Sequence, residues 1–269
     1  MVLHVDIKAV FFDIDGTLWD SDNVIPESTV EAIRQLRANG HKAFICSGRA
    51  KGYICNPKLL EIGWDGIVAA CGCHVEIGDE LVYSRLITRE EGLRDIKLVQ
   101  QYGFKPVLEG PRYLYLDESD FTLQDFYGNK LRREMGENLL PLTENTGNWE
   151  FNKFACATEV PSDVRLECFE KLKADYLLLP HNEAVCEMVP AGHSKATGMK
   201  LVCKTLGIDM KDTYAFGDSV NDLEMLSAAG VGIAMGNGTI AAKEAAEYVT
   251  TDLHNDGIMN GLRHFGLIS

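Results

Sequence analysis

Apolar and polar residues alternate along this chain in two different rhythms. Near the start, the continuous run Val10-Phe11-Phe12 predicts a strand over 8–12 that is buried on both faces. Val30, Ile33 and Leu36 then recur at helical spacing, predicting a helix over 27–39 that stops at Gly40, and Lys42–Cys46 reads as the next strand. The last part repeats this alternation. A helix from about Ser194 to Thr205 closes at Gly207, and a strand covers Thr213–Phe216. A helix over Asp222–Ala229, a strand over Val231–Ala234, a helix around Thr239–Ala246 and a short strand at Tyr248–Thr250 follow. Strands separated by helices predict an α/β core of Rossmann-like type, a doubly wound parallel sheet covered by helices.

Between these parts the pattern changes. Two amphipathic helices, Arg89–Tyr102 and Ser162–Ala174, are each followed by strand-like stretches: Arg112–Leu116, Glu150–Thr158 and Tyr176–Leu179. Helix followed by strands, given twice, predicts an α+β insert with a crude internal duplication. The expected organisation is a core of residues 1–82 and 188–269 interrupted by an inserted domain over 83–187. The linkers then fall near Val82-Tyr83 and between Glu187 and Gly192.

Composition narrows the classes of function. The 269 residues are 46% hydrophobic, enough for one large core or two moderate ones. The chain enters a predicted strand at once and carries no long uninterrupted apolar run, so the expectation is a cytoplasmic protein that does not act on a membrane. Eight cysteines are scattered without a C-x-x-C pair, which predicts free, mostly buried thiols. A formal net charge of −14 argues against a nucleic-acid partner, because phosphate backbones need a basic surface. A small anionic substrate requires a local positive patch or a bound cation. With carboxylates available and histidines dispersed, the natural ion is oxygen-ligated and hard, Mg²⁺ before Zn²⁺.

The candidate chemistry sits where the predicted parallel strands end, the place open α/β sheets put their ligands. Asp13 and Asp15, two residues apart ahead of Gly16-Thr17, can face one pocket, where one attacks while the other moves protons. Ser47-Gly48-Arg49 follows the strand ending at Cys46, its hydroxyl and backbone N–H groups suited to phosphate oxygens and Arg49 to reach over them. Lys195 opens a helix, where the helix end and the ammonium both favour an anion. Gly217-Asp218-Ser219-Val220-Asn221-Asp222 packs two more carboxylates and an amide into one loop. Taken singly, each of these is also what a turn, a helix cap or a surface lysine looks like. Gly232–Gly238 lacks the G-x-G-x-x-G spacing and is assigned to a turn near the site, and no Walker sequence is present.

Four motifs in this order resemble the haloacid dehalogenase-like phosphohydrolases, specifically the Cof-type group (subclass IIB) with a large α/β cap inserted between the second and third motifs. The resemblance is carried by Asp13-Ile14-Asp15-Gly16-Thr17, Ser47-Gly48-Arg49, Lys195 within Gly192–Gly198, and Gly217–Asp222, and it continues through Gly232–Asn237 and Asp256–Ile258. The chain departs from it at Ala70-Cys71-Gly72-Cys73, where relatives often have Asn-Gly. The resemblance implies that Asp13 is the nucleophile, forming an aspartyl-phosphate, and that Asp15 protonates the leaving alcohol and then activates water. It implies Mg²⁺ held by the Asp13 carboxylate, the Asp15 carbonyl and the Asp218 carboxylate, with Ser219 and Asp222 in support. Ser47, Gly48, Lys195 and Asn221 then cradle the phosphoryl oxygens. The implied substrate is a small phosphorylated metabolite, sugar phosphates first. A phosphomutase is the close alternative, and a non-catalytic binding protein a more distant one. Specificity is expected in the insert, where His181-Asn182-Glu183 forms either a plain turn or a polar loop that meets a hydroxylated substrate. Oligomeric state is not legible.

Overall fold

The computed structural model describes residues 7–121, 125–157, 160–180 and 185–269. In chain order its strands are β1 (Ala9–Phe12), β2 (Lys42–Cys46), β3 (Gly66–Ala69), β4 (His74–Ile77), β5 (Glu80–Ser84), β6 (Lys105–Glu109) and β7 (Leu114–Leu116). They continue as β8 (Leu139–Pro141), β9 (Lys153–Ala157), β10 (Tyr176–Pro180), β11 (Val185–Pro190), β12 (Thr213–Gly217), β13 (Val231–Ala234) and β14 (Tyr248–Val249). They form two sheets, β14-β13-β12-β1-β2-β3-β4-β5 and β10-β11-β9-β6-β7-β8. Two compact units divide the chain: 1–48, 57–82 and 194–269 in one, 49–56 and 83–193 in the other. The segment 49–56, placed in the core by the sequence reading, belongs to the second unit.

In the first unit every pairing from β14 to β3 is parallel, and β4 joins β3 antiparallel. Strand β1 has no exposed residue, as its unbroken apolar run requires. Its side chains alternate between faces. Phe11 stacks on Phe44 of β2 (ring centroids 5.0 Å) within a cluster that takes Met199 and Val202 from helix 195–206 and Met225 and Leu226 from helix 223–228. Phe12 stacks on Phe216 of β12 (5.1 Å), against which Gly261 of helix 257–264 packs. Helices thus cover both faces. The chain leaves β1 toward β2 on one side and returns through β12 on the other, so the strand order reverses at β1. This leaves a crevice at the carboxyl ends of the three strands.

The second unit is an antiparallel sheet apart from the parallel pair β7 and β8. Leu108, Phe154, Cys156 and Met188 pack with helices 89–101 and 162–172, while their strand neighbours Val107, Ala155 and Val185 pack with helix 126–135. The period-two alternation of β6, β9 and β11 therefore feeds two apolar layers. The eight cysteines are free, and all but Cys55 are buried. No helix among the described residues is long and apolar enough to cross a membrane.

Candidate active site

Asp13 is the first residue beyond β1, and its N–H extends the ladder by donating to the Phe216 carbonyl (3.0 Å). The chain then folds back on itself: Leu18 N–H donates to Ile14 O, and Gly16 N–H to Trp19 O. Gly16 is required here. Its φ is +80°, and a Cβ would lie 2.4 Å from an Asp218 carboxylate oxygen. The Asp13 loop and the Asp218 loop are therefore pressed together, with the Thr17 hydroxyl donating to Asp218 Oδ1 (3.4 Å).

Lys195 is the first residue of helix 195–206. Its position is set by Ser194, whose hydroxyl accepts from Thr197 N–H while Thr197 Oγ1 accepts from Ser194 N–H. The side chain is fully buried, and Nζ donates to Asp13 Oδ1 (2.5 Å), Asp222 Oδ1 (2.6 Å) and Asn221 Oδ1 (3.0 Å). The other Asp222 oxygen accepts the N–H groups of Asp218 and Ser219, both at 3.0 Å. Asp222 thus fastens its own loop to the lysine. Ser219 donates to Asn221 Oδ1 (3.0 Å), which orients that amide toward Nζ. Asp15 is exposed, its carboxylate accepting from Trp19 Nε1 (3.0 Å). Ser47 is buried beyond β2, its N–H donating to Val68 O (2.8 Å), with buried Gly48 next in the chain.

Carboxylate oxygens of Asp13, Asp218 and Asp222 all lie within 4.8 Å of one another. Burial first, then Asp222, Asp218 and Asp15, push the Asp13 carboxyl well above its ordinary range against the pull of Lys195. Burial, with Asp222 and Asp15, pushes Asp218 up to about 7, again against Lys195. Burial works against the Lys195 charge, but Asp13 and Asp222 outweigh it and keep the ammonium protonated. Carboxylates outnumber the cation. A further positive charge on hard oxygen donors is what this arrangement asks for, and Asp13 and Asp218 fit it best because Asp222 is already committed at both oxygens.

Of the residues expected from sequence, the structure assembles Asp13, Lys195, Asp218, Ser219, Asn221 and Asp222 in one hydrogen-bonded network. Asp222 both belongs to the carboxylate cluster and supports it by holding its own loop. Arg49 belongs to the second unit, its guanidinium 3.4 Å from Glu134 and 4.3 Å from the Tyr53 ring centroid. His181, Asn182 and Glu183 lie outside the described residues. Sequence reasoning passed over three supporting groups. They are Thr17 on Asp218, Trp19 on Asp15, and Asn237, which donates to the Gly16 carbonyl (2.8 Å) and accepts from Leu253 N–H (2.9 Å). Asn237 lies in the turn already placed near the site, but nothing in its spacing singled out the amide.

A family model described as haloacid dehalogenase-like hydrolase matches residues 10–262. The YkrA protein of Bacillus subtilis (strain 168) is 32% identical over 98% of the chain and 100% of its own length. A second relative from the same organism, the 5-amino-6-(5-phospho-D-ribitylamino)uracil phosphatase YcsE, is 27% identical over 98% of the chain and 97% of its own length. Among solved structures, the subclass IIB sugar phosphatase BT4131 superposes with a TM-score of 0.82 at 27% identity, covering 97% of this chain and 100% of that one.

Proposed function

The chain belongs to the haloacid dehalogenase-like hydrolases and is a phosphatase, and from that premise we propose that it hydrolyses small phosphorylated metabolites with Asp13 as nucleophile and Mg²⁺ as cofactor. The observation that carries this reading is the Lys195 ammonium held between Asp13 and Asp222, with the Asp218 carboxylate beside them, at the reversal point of a parallel sheet. An anionic carboxylate approaches an anionic phosphate only where the repulsion between them is offset. Lys195 supplies one positive charge at the attacking oxygen. Mg²⁺, when bound by the Asp13 and Asp218 carboxylates and the Asp15 carbonyl, offsets the charge of the phosphoryl group.

Asp13 attacks phosphorus, and the bond to the leaving alkoxide breaks. Trp19 Nε1 holds the Asp15 carboxyl in place, and in this reading that carboxyl gives the leaving oxygen a proton. It then takes a proton from the water that cleaves the aspartyl-phosphate. The backbone and side chain of Ser47, the Gly48 N–H, Lys195 and Asn221 hold phosphoryl oxygens. Ser219 orients Asn221, and Asp222 fixes the loop.

The substrate proposed first is a sugar phosphate or phosphorylated polyol. BT4131 is a sugar phosphatase, and YcsE acts on a phosphorylated ribityl chain, so a hydroxylated phosphate ester is common to both. Selection among such esters is assigned to the inserted domain, 83–187. The test is phosphate release from a panel of sugar, polyol and nucleotide phosphates, with and without Mg²⁺, beside Asp13→Asn. Mg²⁺-dependent release that is lost in the variant is expected. Isomer formation without net phosphate release, or turnover retained in Asp13→Asn, contradicts it.

A further inference from the structure

The turn at Ala70-Cys71-Gly72 stands out because three successive residues have positive φ, at 50°, 50° and 84°. Asn23 and Asp256 are the other described non-glycine residues in that region, and both are of types that tolerate it. Alanine and cysteine do not, and both are buried here. Backbone held in such a conformation persists only where the surroundings dictate it, and these surroundings are specific.

On one side, Cys71 N–H donates to the Ser47 carbonyl (3.1 Å), and Cys73 N–H closes the turn on Ala70 O (3.1 Å). On the other, a Cβ on Gly72 would lie 2.3 Å from the Ser194 carbonyl, so bare backbone abuts the residue that caps the Lys195 helix. Gly198, one turn along that helix, faces the Gly72 Cα (3.0 Å from an added Cβ) and Val68 (2.3 Å). The Cys46 thiol, next to Ser47, reaches the Lys195 carbonyl (Sγ to O, 3.7 Å). The turn thus touches both the segment of Ser47 and the start of the Lys195 helix.

We infer that the left-handed turn Ala70–Gly72 is a positioning element that sets Ser47 and Lys195 relative to each other, with Cys71 acting through its backbone rather than its thiol. This rests on the proposed phosphoryl-binding roles of Ser47 and Lys195. The turn holds the two grips at one spacing, so loss of the left-handed conformation releases the bond to Ser47 and moves the helix start.

The experiment compares Cys71→Gly, Cys71→Asn, Cys71→Val and Gly72→Ala for KM with an aryl phosphate, inhibition by inorganic phosphate, Mg²⁺ half-saturation and thermal midpoint. Glycine and asparagine accept positive φ and are expected to match the parent. Valine resists it, and alanine at 72 meets the Ser194 carbonyl; both are expected to weaken phosphate inhibition about tenfold, the weight of one lost hydrogen bond, with Mg²⁺ half-saturation unchanged. A lowered thermal midpoint with unchanged phosphate inhibition in Cys71→Val overturns the inference, leaving the turn merely structural. Equal loss in Cys71→Gly and Cys71→Val also overturns it, because the thiol is then what matters. If Cys71→Val does not fold, Gly72→Ala decides by the same readout. A parent without Asp13-dependent turnover overturns the mechanism beneath, whereas parent-like phosphate inhibition in both Cys71→Val and Gly72→Ala overturns the inference alone.

Discussion

Lys195 in the first unit and Lys153 in the second are both fully buried between carboxylates. Lys195 contacts Asp13 and Asp222, and Lys153 contacts Glu187 (2.6 Å) and Glu109 (3.5 Å). The difference lies in what carries the acids. Lys153 and its partners sit within paired strands, Glu109 opposite Lys153 in the β6–β9 register and Glu187 on β11 beyond, so the ion pairs brace three strands of one sheet. Around Lys195 the acids stand on loops at sheet ends, and Asp218 and Asp15 add charge that the lysine cannot neutralise. A buried lysine within a ladder is bracing. One at the mouths of parallel strands, with carboxylates in excess, offers hard oxygen donors to a further cation.

Lysine substitutions test this contrast most strongly. Lys195→Ala is expected to lower kcat/KM for an aryl phosphate by about 10²- to 10³-fold, the scale of losing one positioned electrostatic group. Lys153→Met is expected to leave turnover of the folded protein within a few-fold of the parent. It removes the ammonium shared by the buried Glu109 and the half-buried Glu187, at a cost of about 3–5 kcal/mol in urea unfolding. If Lys153→Met abolished turnover in folded protein, or Lys195→Ala left it intact, the contrast would be wrong.

A smaller effect concerns pH. Burial, with Glu187, pushes the Glu109 carboxyl up from 4.5 to about 7 despite Lys153. The folded state then keeps a proton that the unfolded chain releases, so stability falls as pH rises between those values. Glu109→Gln is expected to flatten that part of the stability profile measured by chemical denaturation. An unchanged slope from pH 4.5 to 7 would show that Glu109 is not the titrating group.

The smallest expected effects come from helix caps. Ser194 and Thr88 both cap their helices through reciprocal bonds, one ahead of Lys195 and the other ahead of helix 89–101 in the insert. Alanine at either is expected to cost about 1 kcal/mol of stability. Only Ser194→Ala is expected also to raise the KM for an aryl phosphate, because only that cap sets a site residue. Equal kinetic effects from both would remove the distinction.

The same contrast explains what was legible in the sequence. Buried parallel strands read as unbroken apolar runs, so β2 and β13 are found at their observed bounds and the acids beyond β1 and β12 stand out by position. Lys195 could be singled out because it opens a helix. Lys153 could not, because its partners come from β6 and β11 and no local pattern joins them. Strand β6 was missed, its Pro106 and Lys105 masking the apolar Val107 and Leu108. Helix 126–135 was missed because it begins Phe-Tyr-Gly-Asn, residues weak in helix propensity, and buries only Gly128, Leu131 and Met135. Arg49 was read from its neighbours in sequence, Ser47 and Gly48, and its contact with Glu134, some 85 residues on, could not be read from any local pattern. The strain at Cys71 leaves no mark on hydrophobic periodicity at all.

The central claim is that Asp13 carries the phosphoryl group. Rapid acid quenching during turnover with Mg²⁺, followed by peptide mapping, tests it most directly. The account predicts a peptide phosphorylated on Asp13 that loses its phosphate to hydroxylamine, absent from Asp13→Asn, whose phosphate release falls by about 10⁴-fold or more. Full turnover with no such peptide, or with Asp13→Asn as active as the parent, would contradict it.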